Sequence, residues 1–208
     1  MIDSDKAAGN RKAREEKKRA HLQAMMDRYR QQFRAIAGID APGVAREVHG
    51  TIELFLERDL KRSPEPGIRC SKGCSHSCRG PVEILPHEAA LLAAEVRAGG
   101  VTIDAERLER QGNCTVETWR QQPAGDRACV FLGEDGACRV YEARPSACRK
   151  LLVTGAPELC DQDQHTPEAV ERWFSWEAEV FTTAAQETFG CGLLPVLLAG
   201  ELARPQPL

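Results

Sequence analysis

Cysteine is the residue type whose placement in this 208-residue chain points to chemistry. Cys70, Cys74 and Cys78 recur at every fourth position. Three more thiols lie in the phrases Cys129-Val-Phe-Leu, Gly136-Ala-Cys138-Arg-Val-Tyr141 and Arg144-Pro145-Ser-Ala-Cys148-Arg149, and Cys160 follows. Thiolates are soft ligands. Seven of them in two short stretches suit zinc, or iron in an iron–sulfur cluster. On a helix, positions 70, 74 and 78 would stack over two turns on one face. In a looser turn, Gly73 lets the chain curl so that all three sulfurs point inward. Either geometry supplies three ligands from one element and leaves the second block to complete the set. The expected metal ligands are therefore Cys70, Cys74, Cys78, Cys129, Cys138, Cys148 and Cys160, with zinc and an iron–sulfur cluster both open.

The remaining donors carry less. His76, inside the first block, is a ligand or an exposed bystander. Cys114 is isolated and serves as a further ligand or as a small buried hydrophobe. Cys191, between two glycines, reads as structural, whereas Cys160 has His165 and two aspartates nearby. Arg69, Lys72, Arg79, Arg127, Arg139, Arg144, Arg149 and Lys150 flank the cysteines. Cations so placed favour the thiolate and offset the excess negative charge of a metal–thiolate site; the alternative is ordinary surface charge.

Redox compartment decides between metal and disulfides. Nine cysteines cannot all pair. The charged N-terminus has no apolar stretch of the secretory kind, so a cytoplasmic location is expected, where thiols stay reduced. A net charge of −3 argues against a globally basic nucleic-acid binder. No run of 18 apolar residues is present, so no membrane span is expected.

The elements that must position the thiols read as mainly α. Residues 1 to 37 form one long helix, its first twenty residues loose or solvated. Up to Arg34 it holds ten Lys or Arg against five Asp or Glu. Leu22, Met25, Met26, Tyr29, Phe33 and Ile36 make one sticky face. Gly38 ends it, Asp40 caps the next helix and Pro42 sits just inside. Val44, Val48, Ile52, Phe55, Leu56 and Leu60 form a stripe over 41 to 62, which makes an αα-hairpin. His49, beside that stripe, reads as a core residue. Ser63-Pro-Glu-Pro-Gly67 breaks the chain. Pro86, with Glu88 in the first turn, starts a helix that runs to Gly99-Gly100, and a short helix spans Asp104 to Gln111, with Thr102 or Asp104 near its cap. Asn113 to Gln121 reads as a strand or an irregular segment. Thr166-Pro167-Glu168 opens a last helix to Phe189, burying Val170, Trp173, Phe174, Val180, Phe181 and Phe189. Gly190 closes it, and Cys191 to Leu198 is a short apolar tail. Three parts follow: a helical hairpin over 1–62 with a basic start, a loop-rich cysteine domain over 63–165, and a C-terminal helix and tail over 166–208 packed on it. The middle part has little apolar material of its own, and metal bonds are a plausible replacement for a core.

The second block closely resembles a bacterial family, the putative zinc- or iron-chelating proteins of YkgJ type. Its members carry an upstream cysteine cluster and then the phrase C-x-F-L, G-x-C-x-[IV]-Y, R-P-x-x-C-R. The likeness covers about residues 68 to 160. The first block departs from it: the family has C-x2-C-x2-C-C and this chain has C-x3-C-x3-C. The resemblance implies chelation by Cys70, Cys74, Cys78, Cys129, Cys138 and Cys148, with Tyr141, Arg144 and Pro145 shaping the loop. Flagellin lysine N-methylases are similar in the same region, although this chain shows no glycine-rich loop after a strand to hold a methyl donor. Three function classes follow. The first is a metal-binding protein whose zinc or iron–sulfur cluster holds the fold or carries electrons. The second is a metal-dependent enzyme related to protein lysine N-methylases. The third is an interaction module with a structural zinc, which meets a protein partner through the N-terminal hairpin.

Overall fold

The computed structural model describes residues 2–63 and 67–205. The fold is mainly α, with two-residue strands and one isolated bridge as its extended pairing among the described residues. Helix α1, Ile2–Ile36, is exposed from Arg14 to His21 and, among the residues whose side chains are described, buries Met26, Tyr29 and Phe33. Helix α2, Ala41–Arg62, begins where Asp40 accepts the Gly43 amide at 3.0 Å, with a proline in its first turn. It ends at Ser63; the rest of the expected break, residues 64–66, lies outside the described residues.

Helices α1 and α2 do follow one another across a short turn, but α1 leans mainly on the later helix α7, Trp176–Phe189. Phe181 of α7 is the meeting point. Its ring lies 5.1 Å from Tyr29, 4.8 Å from Phe33 and 5.6 Å from Phe55. Such pairs add about 0.5–1.5 kcal/mol each beyond the area they bury. Val44, Val48, Ile52 and Leu56 of α2 close the same core.

A second core lies below the cysteine loops. Helix α3, Pro86–Arg97, and α4, Ala105–Gln111, pack against the C-terminal helix α8, Leu194–Leu202. Leu92, Leu108, Leu194 and Leu198 fill it from the helices, Ile84 from a short strand, and Val130, Phe131 and Val140 from the loops. The expected apolar tail is thus a strand and a helix. Strand β1, Glu83–Ile84, pairs antiparallel with β4, Gly192–Leu193, and α8 follows directly. The apolar content of Leu194 to Leu198 is that of a buried helix, with Leu198 wholly buried.

Two further expectations are corrected. Asn113 to Gln121 holds a short helix, α5, Val116–Trp119. Thr115 and Thr118 cap each other there: the Thr118 amide donates to Thr115 Oγ1 at 3.2 Å and the Thr115 amide to Thr118 Oγ1 at 2.8 Å. The segment after Thr166 makes only one tight turn, Pro167–Ala169. Strand β3, Arg172–Trp173, then pairs with β2, Leu152–Val153, and that backbone pairing pulls the chain out of helix. The helix proper starts at Trp176, where Ser175 Oγ accepts the Ala178 amide and donates to Asp59. Phe174, expected inside, is 59 % exposed.

One buried carboxylate joins these pieces. Glu88 Oε1 accepts hydrogen bonds from His49 Nε2 at 2.8 Å and from the amide and hydroxyl of Ser146, both at 2.6 Å. Oε2 takes the Leu85 amide at 2.9 Å. Ser146 opens helix α6, Ser146–Lys150, so the network links α2, α3 and α6. Burial by itself pushes the Glu88 carboxyl up, but the hydrogen bonds from His49, Ser146 and Leu85 outweigh it and hold it below the usual 4.5. A depressed carboxylate stabilises the fold above its unfolded pKa, and that stability is lost as pH falls through the lowered value. Glu88→Gln, which leaves donors facing a neutral amide, should cost about 3 kcal/mol by urea unfolding at pH 7. The variant should also lose stability less steeply than the wild type below pH 4.5. Equal slopes would show that the carboxylate charge plays no part.

Candidate metal centre

The first cysteine block takes the looser of its two geometries. Gly73 has φ +96°, a left-handed turn, and the only helical piece is a single tight turn, His76–Arg79. Cys74 and Cys78 are held by short-range amide bonds to Ser71 and Ser75 carbonyls, at 3.1 and 2.9 Å. The three sulfurs are therefore not stacked on one helix face.

The second block wraps onto the first through the backbone. The Cys129 amide donates to the Cys78 carbonyl at 2.8 Å. The chain then turns back on itself: Leu132 pairs with Cys138, and the Arg139 amide meets the Phe131 carbonyl at 2.8 Å. Gly136 makes that reversal at φ +74°, a conformation other residues rarely adopt. Cys148 rides on α6, whose start is tied to Glu88 through Ser146. Further on, the Arg69 amide bonds the Val153 carbonyl at 2.7 Å, and the Val153 amide donates to Cys70 Sγ at 3.1 Å.

The seven expected ligands fall into two groups. Cys78 from the first block meets Cys129, Cys138 and Cys148 from the second. Burial pushes the Cys129 thiol up to about 12, with Cys78 and Cys138 adding to it. Burial likewise carries Cys78 to about 11, helped by Cys138 and Cys74. Cys148 is raised by burial and then by Cys129, Cys78 and Cys138. The second group is Cys70 and Cys160, and Cys74 lies within reach of both groups. Burial raises Cys160, and Cys70 and Cys74 add to it. Sulfurs that raise one another in this way lie within each other's electrostatic reach.

Among the described residues, no three His, Cys, Asp or Glu side chains stand arranged around a common point as a finished metal cage. Donor chemistry nevertheless fits a soft metal: four thiols within one another's electrostatic reach, of which Cys129 and Cys138 pack against Val130, Phe131 and Val140.

The flanking cations mostly have other work. Arg149 pairs with Glu53, Lys150 with Glu179 at 2.7 Å, and Arg127 with Asp163 at 2.7 Å. Arg139 lies 3.4 Å from Asp135, and Arg144 stacks 4.0 Å over the Tyr141 ring. Of the expected set, Arg79 and Arg144 pull a thiol pKa down, at Cys78 and Cys138. Arg107 acts on Cys129 and Arg172 on Cys160, and neither is adjacent to a cysteine in sequence. Cys114 belongs to a separate small core with Trp119 and Leu193, and Cys191 is exposed. The pair His49 and Glu88 escaped the sequence reading as a polar hub; the only visible signal was an acid in the first turn of α3.

Residues 69–170 match the sequence profile of a family described as CxxCxxCC, the putative zinc- or iron-chelating domain. The matched segment takes in all seven expected ligands, and the match supports metal binding through a cysteine cluster. Comparison with curated proteins and with solved structures found no match. No helix among the described residues is long and apolar enough to cross a membrane.

Only the thiolate is nucleophilic, so raised thiols react slowly. Iodoacetamide at neutral pH should label Cys191 first and Cys129 and Cys148 last, as read by peptide mass spectrometry. Equal rates at the three positions would contradict the buried group.

Proposed function

We propose that the chelating domain uses Cys78, Cys129, Cys138 and Cys148 to hold one zinc ion or one iron–sulfur cluster, and that this centre stabilises the loop-rich middle of the chain. The supporting observation is the meeting of Cys78 with three thiols more than fifty positions away, anchored by the Cys129–Cys78 backbone bond. Cys70, Cys74 and Cys160 stand beside that set as further ligands. When bound, zinc supplies four strong bonds without redox chemistry, and a four-iron cluster adds one-electron transfer.

The residues divide the labour. Glu88 fixes the start of α6 and so the position of Cys148. Phe131 and Val140 exclude water beneath the thiols. Arg144 and Arg107 place positive charge next to Cys138 and Cys129, which favours the thiolates a metal requires. A buried thiol group without metal is neutral, and metal binding therefore releases protons and strengthens with rising pH.

The experiment is metal content per chain after anaerobic purification. Stoichiometric zinc without colour assigns a structural zinc; iron with broad visible absorption assigns a cluster. Cys148→Ser should abolish the metal and expose residues 129–160 to protease, whereas Cys191→Ala should retain both metal and resistance. Full metal content in Cys148→Ser would overturn the four-thiol assignment.

A further inference from the structure

The polar faces of α2 and α3 flank an open cleft of about 650 Å³. Arg46, His49, Gly50 and Glu53 lie three and four residues apart, so they share one side of α2. Glu95 comes from α3, and the segment from Cys138 to Ala143 closes the remaining wall with Lys72. A helical face that meets a neighbouring helix is normally apolar. Here it carries charge and leaves room.

The floor of the cleft is ordered by buried polar groups. His49 is 5 % exposed and bound through Nε2 to Glu88, which also takes the Ser146 amide and hydroxyl. His49 Nδ1 makes no hydrogen bond among the described residues. Arg149, also 5 % exposed, is held by Glu53 and by the Arg144 and Glu142 carbonyls. Burying such groups is costly, and none of them contacts a thiol through a hydrogen bond.

The charges around the opening are mostly spoken for. Arg149 has Glu53, Arg139 has Asp135, and Lys72 lies 3.6 Å from Glu142. Two remain. Arg46 on α2 and Glu95 on α3 make no side-chain hydrogen bond or ion pair among the described residues. One unanswered cation and one unanswered carboxylate line the same cavity, from opposite helices, with His49 on the face of Arg46. Gly50 keeps the space open. A Cβ there would meet nothing within 4 Å, although glycine inside a helix costs about 1 kcal/mol relative to alanine.

We infer that this cleft is a binding site for a small zwitterion of the free amino-acid class. Its carboxylate pairs with Arg46, its ammonium with Glu95, and a hydrogen-bond donor of the ligand meets His49. Cys138 on the wall places the ligand beside the four-thiol group, but binding does not depend on the metal reading.

Calorimetric titration of the protein as purified with each of the twenty free amino acids tests this. The best binder is then compared with its N-acetyl derivative, which keeps only the carboxylate, and its amide, which keeps only the ammonium. Saturable heat is expected for the free amino acid, with each derivative about tenfold weaker or worse, the loss of one charged hydrogen-bonded pair. Gly50→Leu, which fills the cleft from an accommodating helix position, should abolish the heat with an unchanged circular dichroism spectrum. Arg46→Ala should weaken the free amino acid and the N-acetyl derivative while leaving the amide as it was. No saturable heat with any amino acid overturns the proposal. So does equal binding of the N-acetyl derivative, which would make the cleft a simple oxyanion site, or undiminished binding by Gly50→Leu. Metal content, measured on the same samples, separates this result from the fate of the chelation reading.

Discussion

A carboxylate withdrawn from water must have its charge answered by hydrogen bonds, and Glu88 meets that demand with donors from three directions. His49 comes from α2, Leu85 from the turn before α3, and Ser146 from the start of α6. No other described contact ties these helices through one atom pair. The constraint is directional, unlike apolar packing, so it fixes how α6 is presented. Cys148 therefore reaches the thiol group from a defined side, and His49 faces the cleft in one ring orientation. The start of α6 and the wall of the cleft are thus both tied to one buried charge.

The thiols obey the opposite rule. They are gathered where burial disfavours their charged form, and each raises the others. Such a group, left to itself, is held neutral by burial. A metal reverses the electrostatics by stabilising several thiolates at once. That is the physical reason a cysteine cluster in a loop-rich segment goes with chelation, and the chelating-family match over residues 69–170 agrees with it.

The helices were legible where local signals were self-sufficient. Asp40 with Pro42, Pro86 with Glu88, and Asp104 each started the helix they announced. Thr115 and Thr118 carried a cap of the same kind, unread because threonine and tryptophan also favour strands. The turn at Thr166 failed for a different reason. Its cap and proline are good local signals, yet Leu152 and Val153 offer backbone partners to Arg172 and Trp173, and that long-range pairing prevailed. The tail from Cys191 to Leu198 was too short to show a helical period, and its burial depends on α3 and α4.

What the amino-acid order determined unaided was the donor chemistry and the helical character: thiol type, thiol spacing, caps and apolar stripes are local properties written in neighbouring residues. Which thiols share a neighbourhood was decided only in three dimensions. Spacing alone groups Cys70, Cys74 and Cys78 together, whereas the folded chain sets Cys78 with Cys129, Cys138 and Cys148 and Cys70 with Cys160, with Cys74 in reach of both. The cause is physical: a left-handed turn at Gly73 and the backbone bond from Cys129 to Cys78 divide the first block, and no count of intervening residues encodes either.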